Sequence, residues 1–525
     1  MRRYPIHLHA GVSSVAVCRT RDSSDVSSER GNHLAHDLPP TSDRLRGLSG
    51  SRRCPATKVM RPLRPFLLSP HIRLPSLISP HLRRGTTQSL PRFSHRLYSL
   101  SHPRRSSPNP MSSTSTLAEP EIEYEHIEGA ETIASYKRGG LHAVEIGGQL
   151  NSRYRIVHKL GFGTYSTTWL ARDTSHDRLV AVKIARADSV PREASILRSL
   201  TRTQPTPDDN MDRNESIGEM RLGMMMVPPL LDEFMVTGPN GTHPCYVTEP
   251  ASSSLAWAKG GAVGGLFHLD VARSLAAQLT LAVAFVHAHG LVHGDEQLYH
   301  RYNPPEYEAV CRLDGKPLPP GVPAHAVSTI WLGKSSTDIT LPEAHIYLTD
   351  FGEAYSPSQV DRYESHAPTV SRPPEARFEP TTTLSFSSDI WTLACSLWGI
   401  IAWRSPFDNF FGSQDDTTCE QVDALGPLPP VWWQKWEARG DFFTEDGTPS
   451  DGRVVTTLEG RFDRSVQQYR LEAGMNTASD EERDAILALL RSMLSYKPAD
   501  RPTVEQVLKS DWMQKWALPE YHRSR

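Results

Sequence analysis

Cysteine is scarce in this chain and scattered where it occurs. The six cysteines, Cys18, Cys54, Cys245, Cys311, Cys395 and Cys419, contain no Cys-x-x-Cys pair. That spacing argues against a zinc site, and so few thiols in 525 residues do not make a disulfide framework. A reducing compartment is the expectation. Long apolar runs are missing as well. No stretch of 18 apolar residues occurs, and the nearest, Trp391 to Trp403, is broken by Thr392 and Ser396. It is too short for a membrane span and predicts a buried helix. With 38% hydrophobic and 22% charged residues, the composition is that of a soluble protein and excludes a fibre.

Acidic residues are absent from Met60 to Pro110, where nine arginines stand. Residues 1–110 hold 19 Lys and Arg against 5 Asp and Glu, a net +14 within a chain of formal charge −3. The rest of the chain therefore carries −17. The front end shows no apolar periodicity, so burial cannot offset the entropy of ordering it, and it is predicted to be a disordered basic extension. Its Arg-rich, Ser-rich, acid-poor makeup is that of a mitochondrial transit peptide, and Arg96-Leu-Tyr-Ser99 resembles a matrix-protease cleavage site. Against that, Pro62, Pro65, Pro70, Pro75 and Pro80 interrupt any amphipathic helix. The plainer readings are a solvated tail, or upstream sequence with Met111 as the true start. Residues 111–152 read as a lead-in.

From Tyr154 the pattern changes. Residues 153–160 alternate like a half-buried strand, a glycine turn follows, and further strands are predicted at 166–172 and 179–185. Gly161 and Gly163 allow a backbone to approach phosphates without a Cβ in the way. The third glycine of the Gly-x-Gly-x-x-Gly pattern is replaced by Ser166, and Thr168 stands where valine is usual. Lys183 follows inside an apolar strand, and residues 191–200 predict a helix with Pro191 in its first turn. Glu193 is the one glutamate between Lys183 and Glu215, which makes it the candidate ion-pair partner of that lysine. Residues 201–222 read as a polar insertion, followed by apolar segments around 227–236 and 243–247. Leu266 to His289 predicts a long helix stopped by Gly290.

Three motifs stand in one order: Leu160-Gly-Phe-Gly-Thr-Tyr-Ser-Thr-Thr168, Ala181-Val-Lys183 and Asp350-Phe-Gly352. Each is weak alone. In that order they supply a phosphate-covering loop, a lysine for the α/β-phosphates and an aspartate for magnesium, the parts of a protein kinase. Arg372-Pro-Pro-Glu375, the helix signal around Asp389 and Arg501 near the end complete the series. Residues 153–516 thus resemble eukaryotic protein kinases, and more narrowly the SR-protein kinases and their fungal relatives. The narrower signals are Ser166-Thr-Thr-Trp-Leu-Ala171, the short span from Asp350 to Glu375, and Ser510-Asp-Trp-Met-Gln-Lys-Trp516.

The resemblance implies an α+β, bilobal fold, with a small antiparallel β lobe over 153–249 and a larger helical lobe over 250–525. It implies ATP and Mg2+ as cofactors. Leu160, Gly161, Phe162, Gly163, Thr164, Tyr165, Ser166, Thr168, Ala181, Lys183, Thr248 and Glu249 would line the nucleotide site, with 248–250 as the adenine-side hinge. Lys183 and Glu193 would form the catalytic ion pair, Asp350 would bind the metal, and Asp295 would accept the substrate hydroxyl proton. Substrates would be serines in Arg/Ser-rich proteins of messenger-RNA processing, met by a monomer in the nucleus and cytoplasm, with no direct nucleic-acid or membrane partner. The mitochondrion is the second location.

The catalytic loop departs from the family pattern. It opens as Leu291-Val-His-Gly-Asp295, but Gln297 stands where lysine is expected and His300 where the second metal-binding asparagine belongs. No apolar strand follows, because Asn303-Pro304-Pro305 cannot pair within a sheet. A segment between Asp295 and Glu296 is inferred to be lost. That opens a second reading, a pseudokinase that binds nucleotide or a partner without phosphate transfer. A third is a small-molecule phosphotransferase of the aminoglycoside-kinase type, suggested by Val292-His-Gly-Asp295 and opposed by the intact Asp350-Phe-Gly352 and the helix around Asp389.

Overall fold

The computed structural model describes residues 15–17, 122–190, 192–202, 215–262, 264–293, 306–407 and 412–525. The predicted lack of structure over 1–110 otherwise lies outside these residues, but three members of that front end, Val15–Val17, form a strand, β1.

The first body is a six-stranded, wholly antiparallel sheet. Its strands are β2 (Gln149–Leu150), β3 (Tyr154–Phe162), β4 (Ser166–Asp173), β5 (Arg178–Ala185), β6 (Asp232–Gly238) and β7 (Gly241–Thr248), in the order β2-β3-β4-β5-β7-β6. Alternation along the strands sends Tyr154, Ile156, Trp169, Val180, Val182, Ile184, Cys245 and Val247 into one core. Each fully buried aliphatic there contributes ~1.5–3 kcal/mol of transfer free energy. Two bulges interrupt β3 against β4, between Ile156 and His158 and between Lys159 and Gly161. The second twists the strand just where it enters the glycine turn.

α1 (Arg192–Arg202) lies next to the sheet in sequence, as its pattern predicted. Residues 215–222, predicted as part of the polar insertion over 201–222, instead belong to a helix, α2 (Glu215–Met224). The reason is a close approach: a Cβ on Gly223 would stand 2.3 Å from the Leu281 carbonyl oxygen, so glycine lets α2 pack directly on the long central helix.

The helical body begins after two short elements, β8 (Ser253–Ser254) and α3 (Leu255–Gly260). Its axis is α4 (Leu269–Ala288), ended by Gly290 at φ 72°. α4 is long and apolar enough to cross a membrane by length and composition, yet most of it is buried inside the protein. Beyond α4 come the hairpin β9 (Tyr307–Ala309) with β10 (His325–Val327), then β11 (Ile346–Leu348), α5 (Glu375–Phe378) and α6 (Phe386–Ile401). Further helices to the C-terminus pack Ile486, Leu490, Val507 and Met513 into the same core as α4 and α6. Helices thus gather apart from an antiparallel sheet, the α+β class expected from sequence.

Residues 122–148 and 306–345 both return to the sheet. Ile127, Ile133, Tyr136 and Leu141 share a small core with Val310 and Ala326. Ile330 donates its N–H to the Lys159 carbonyl at 2.8 Å and packs on Leu160, Leu170 and Ala181. Two positions on, the Leu332 N–H reaches the Ser252 carbonyl at 3.0 Å. The segment after the catalytic-loop position therefore ties β3 to the stretch before α3.

Candidate active site

β5 presents Lys183 from the sheet, and α1 brings Glu193 opposite it. The Lys183 ammonium donates to Glu193 Oε2 at 2.8 Å and to Asp350 Oδ1 at 2.7 Å. The other oxygen of Glu193 accepts the Phe351 N–H at 3.0 Å, so one carboxylate holds both the lysine and the Asp-Phe-Gly backbone. Burial opposes the charge on Lys183, but the carboxylates of Asp350 and Glu193 outweigh it and push its pKa well up. Glu193 moves upward, because its burial exceeds the attraction of the lysine. Tyr246, beside them on β7, hydrogen-bonds Glu193, and burial raises its hydroxyl far above the usual tyrosine range.

Around this triangle opens a cavity of about 1110 Å3. Of the sequence-predicted nucleotide residues, Leu160, Gly163, Thr164, Tyr165, Ser166, Thr168, Ala181, Lys183, Thr248 and Glu249 line it. Gly161 and Phe162 stand in β3 outside that wall, where they pair with Thr168 and Thr167. The glycine turn is closed by the Gly163 N–H donating to the Ser166 carbonyl at 2.9 Å, which leaves Tyr165 exposed at the tip. Asp350 sits in the left-handed region at φ 67°, a strained conformation for a non-glycine residue that turns its carboxylate toward Lys183. Sequence reasoning missed Tyr246 and Thr349, both on the cavity wall; neither belongs to a motif, and only the folded register brings them there.

On the helical side, Asp389 of α6 accepts the His293 N–H at 2.7 Å and lies 3.0 Å from His287 Nε2. His293 is buried, which lowers its pKa, and its neutral ring donates from Nε2 to the Thr349 carbonyl at 3.0 Å. The ring meets Phe351 edge to face at 4.9 Å. Val292 and Tyr355 exchange backbone hydrogen bonds at 2.8 and 3.1 Å. The chain entering the catalytic-loop motif is thereby fixed to the segment that leaves Asp350. Asp295 itself, with Gln297 and His300, lies outside the described residues.

Farther along, Glu375 and Arg501 form a buried two-pronged pair at 2.7 Å on each arm. Arg501 also donates to the Ser387 carbonyl at 2.9 Å and stacks over Trp391. The span from Asp350 to Glu375 is tied by its own side chains: Glu353 pairs with Arg362 at 2.6 Å and with His366 at 2.8 Å. One further pair carries no motif. Lys159, next to the glycine turn, is buried among Phe162 and Trp169 and bonds Glu131 of the lead-in, which also accepts the Tyr136 hydroxyl.

No family model matches the chain. A serine/threonine protein kinase of Aspergillus fumigatus is 26% identical over 395 residues, covering 73% of this chain and 90% of the relative. The serine/threonine-protein kinase SRPK of Physarum polycephalum is 26% identical over 421 residues, 74% of this chain and 91% of the relative. Human SRSF protein kinase 3 is 32% identical over 127 residues, 23% of this chain and 20% of the relative. The resemblance drawn from the motifs is borne out: over most of its length the chain is similar to serine/threonine protein kinases, SRPK among them.

Proposed function

We propose that the sheet and helical bodies are the two lobes of a protein kinase fold, that the cavity takes ATP with Mg2+, and that the natural substrates are Arg/Ser-rich proteins. The observation that carries this is the triangle of Lys183, Glu193 and Asp350, already closed at hydrogen-bond distance. A cavity of about 1110 Å3 exceeds what a nucleotide needs, and its wall pairs apolar Leu160 and Ala181 with charged Lys183 and Asp350. ATP supplies the phosphoryl group, and magnesium neutralises the charge that builds up during transfer. Lys183 would hold the α/β-phosphates, Glu193 would keep the lysine in place, and Asp350 would take the metal. Among the described residues no cluster of three or more metal-ligating side chains exists, so Asp350 and the phosphates would share that ion. Asp295, two residues beyond the anchored His293, would accept the proton of the substrate hydroxyl.

A second reading rests on a specific feature: Gln297 and His300 replace the lysine and asparagine of the loop, and Pro304-Pro305 cannot continue as a central strand. On that ground this chain binds nucleotide but transfers phosphate slowly. The likeness to the SRPK of Physarum polycephalum and to human SRSF protein kinase 3 supports the Arg/Ser-rich substrate class. We place the protein in the nucleus and cytoplasm as a monomer; import of a reporter into mitochondria by residues 60–110 alone would reverse the location. The nucleotide reading is tested by melting: ATP with magnesium raises the melting temperature, and Lys183→Met removes much of that rise. An unchanged melting curve at millimolar ATP would sink it.

A further inference from the structure

The strand β11 runs straight into Thr349 and Asp350, and β8 joins the Glu249 stretch to α3. They belong to one three-stranded sheet, yet they do not pair with each other, because β1 lies between them. Its register is antiparallel on both sides. Val15, Ala16 and Val17 oppose Leu348, Tyr347 and Ile346, while Ala16 and Val17 oppose Ser254 and Ser253. Neighbouring strands stand about 4.8 Å apart, so two strands separated by a third cannot bond across the gap. The flanking residues are deep: Ile346, Leu348, Ser253 and Ser254 are each at most 2% exposed. Ile346 and Leu348 turn their N–H groups away, to Gln278 and to the Met226 carbonyl, so along β11 it is the backbone of Tyr347, opposite Ala16, that faces β1, where a missing partner would be costly.

Among the described residues the chain has no local candidate for it. After Val292 and His293 the run ends in Asn303-Pro304-Pro305, and the next strand, β9, pairs with β10 alone. The front end does have a candidate, since Val12-Ser-Ser-Val-Ala-Val17 is its β-branched run. We propose that the groove between β8 and β11 is a strand-acceptor site and that residues 15–17 are its built-in donor. The front end then completes, by strand addition, the sheet that the interrupted loop leaves open. Its specificity is for an extended, β-branched segment running antiparallel to both walls. Because β11 leads directly to Asp350, the donor also steadies the carboxylate that pairs with Lys183. A protein started at Met111 would lack the donor and carry an open acceptor.

The experiment uses the full chain. Proline at position 16 removes a backbone donor from the middle of the inserted strand. Ala16→Pro is expected to lower the melting temperature by several degrees, whereas Val12→Pro, outside residues 15–17, leaves it unchanged. A fluorescent peptide of residues 11–21 should bind the Ala16→Pro chain saturably and the wild-type chain at least tenfold more weakly. Equal melting of Ala16→Pro and wild type, or equal peptide binding by both, would overturn the proposal. Sedimentation decides the source of the strand. A monomer in both chains supports the intramolecular donor; a wild-type dimer that falls to monomer on Ala16→Pro would place the donor in a second copy and overturn it.

Discussion

On the sheet side of the cavity, Lys183 meets Glu193 at 2.8 Å and Asp350 at 2.7 Å, from a strand, a helix and a strained turn whose places are fixed by burial. On the helical side, Asp389 holds the His293 N–H at 2.7 Å, and beyond Asp295 the motif loses the lysine, the asparagine and the strand that should follow. The difference is one of support. An ion pair between regular elements inherits their register, which many buried side chains determine together. A catalytic loop has little register of its own and depends on the strand that leaves it. Nucleotide binding and phosphate transfer can therefore part company within one cavity.

The largest effects are expected where each side carries a buried pair. Glu131→Leu on the sheet side strands the buried Lys159, and Arg501→Leu on the helical side strands Glu375. Leaving one buried charge uncompensated costs ~3–5 kcal/mol, so both should lower the midpoint in denaturant. Glu131→Leu with Lys159→Met should recover most of that loss. Wild-type stability in either single variant would mean that its pair contributes nothing to its side.

Asp389→Asn is the smaller probe of the helical side. It keeps an acceptor for the His293 N–H but removes the charge, and loss of a charge-assisted bond costs ~1.5–3 kcal/mol. The ATP-induced melting shift should survive, because the triangle around Lys183 is untouched. If that shift disappears with Asp389→Asn, the two sides are one cooperative unit and the contrast between them is lost.

The smallest effect is a pH slope on the sheet side. Burial, with His243 alongside, lowers the pKa of His142 from 6.5 to about 4. The unfolded chain then takes up its proton first as pH falls. The stability that neutral His142 contributes is complete above pH 6.5 and is lost as the pH drops from 6.5 toward 4. His142→Asn should flatten the fall of melting temperature across that window; an unchanged slope would assign the acid sensitivity to other groups.

Lys183, Glu193 and Asp350 were legible in sequence because motif order alone pairs them, and a single glutamate stands within reach of the lysine. Strands 153–160, 166–172 and 179–185 and the helix ended by Gly290 were legible because alternation and a cap are local signals. α2 was hidden: Glu-Ser-Ile-Gly-Glu-Met-Arg-Leu-Gly-Met has two glycines and no stripe, and its helix is selected by contact with α4 at Gly223. Glu131 and Lys159 were hidden by 28 residues of separation and by a lead-in without periodicity. β1 was hidden because three residues in a basic front end carry no sign of a partner strand as distant in sequence as Ile346–Leu348.

The second reading proposed above, nucleotide binding without efficient transfer, has one direct test. Radiolabelled-ATP turnover on an Arg/Ser peptide, compared between the chain as it is and a version with the interrupted loop restored, measures this directly. Losing one preorganised charge-stabilising group costs on the order of 100- to 1000-fold in rate, so the restored version should be faster by at least that factor. Equal turnover by both, abolished in the unrestored chain by Asp295→Ala, would show its loop to be complete and would contradict the separation of binding from transfer.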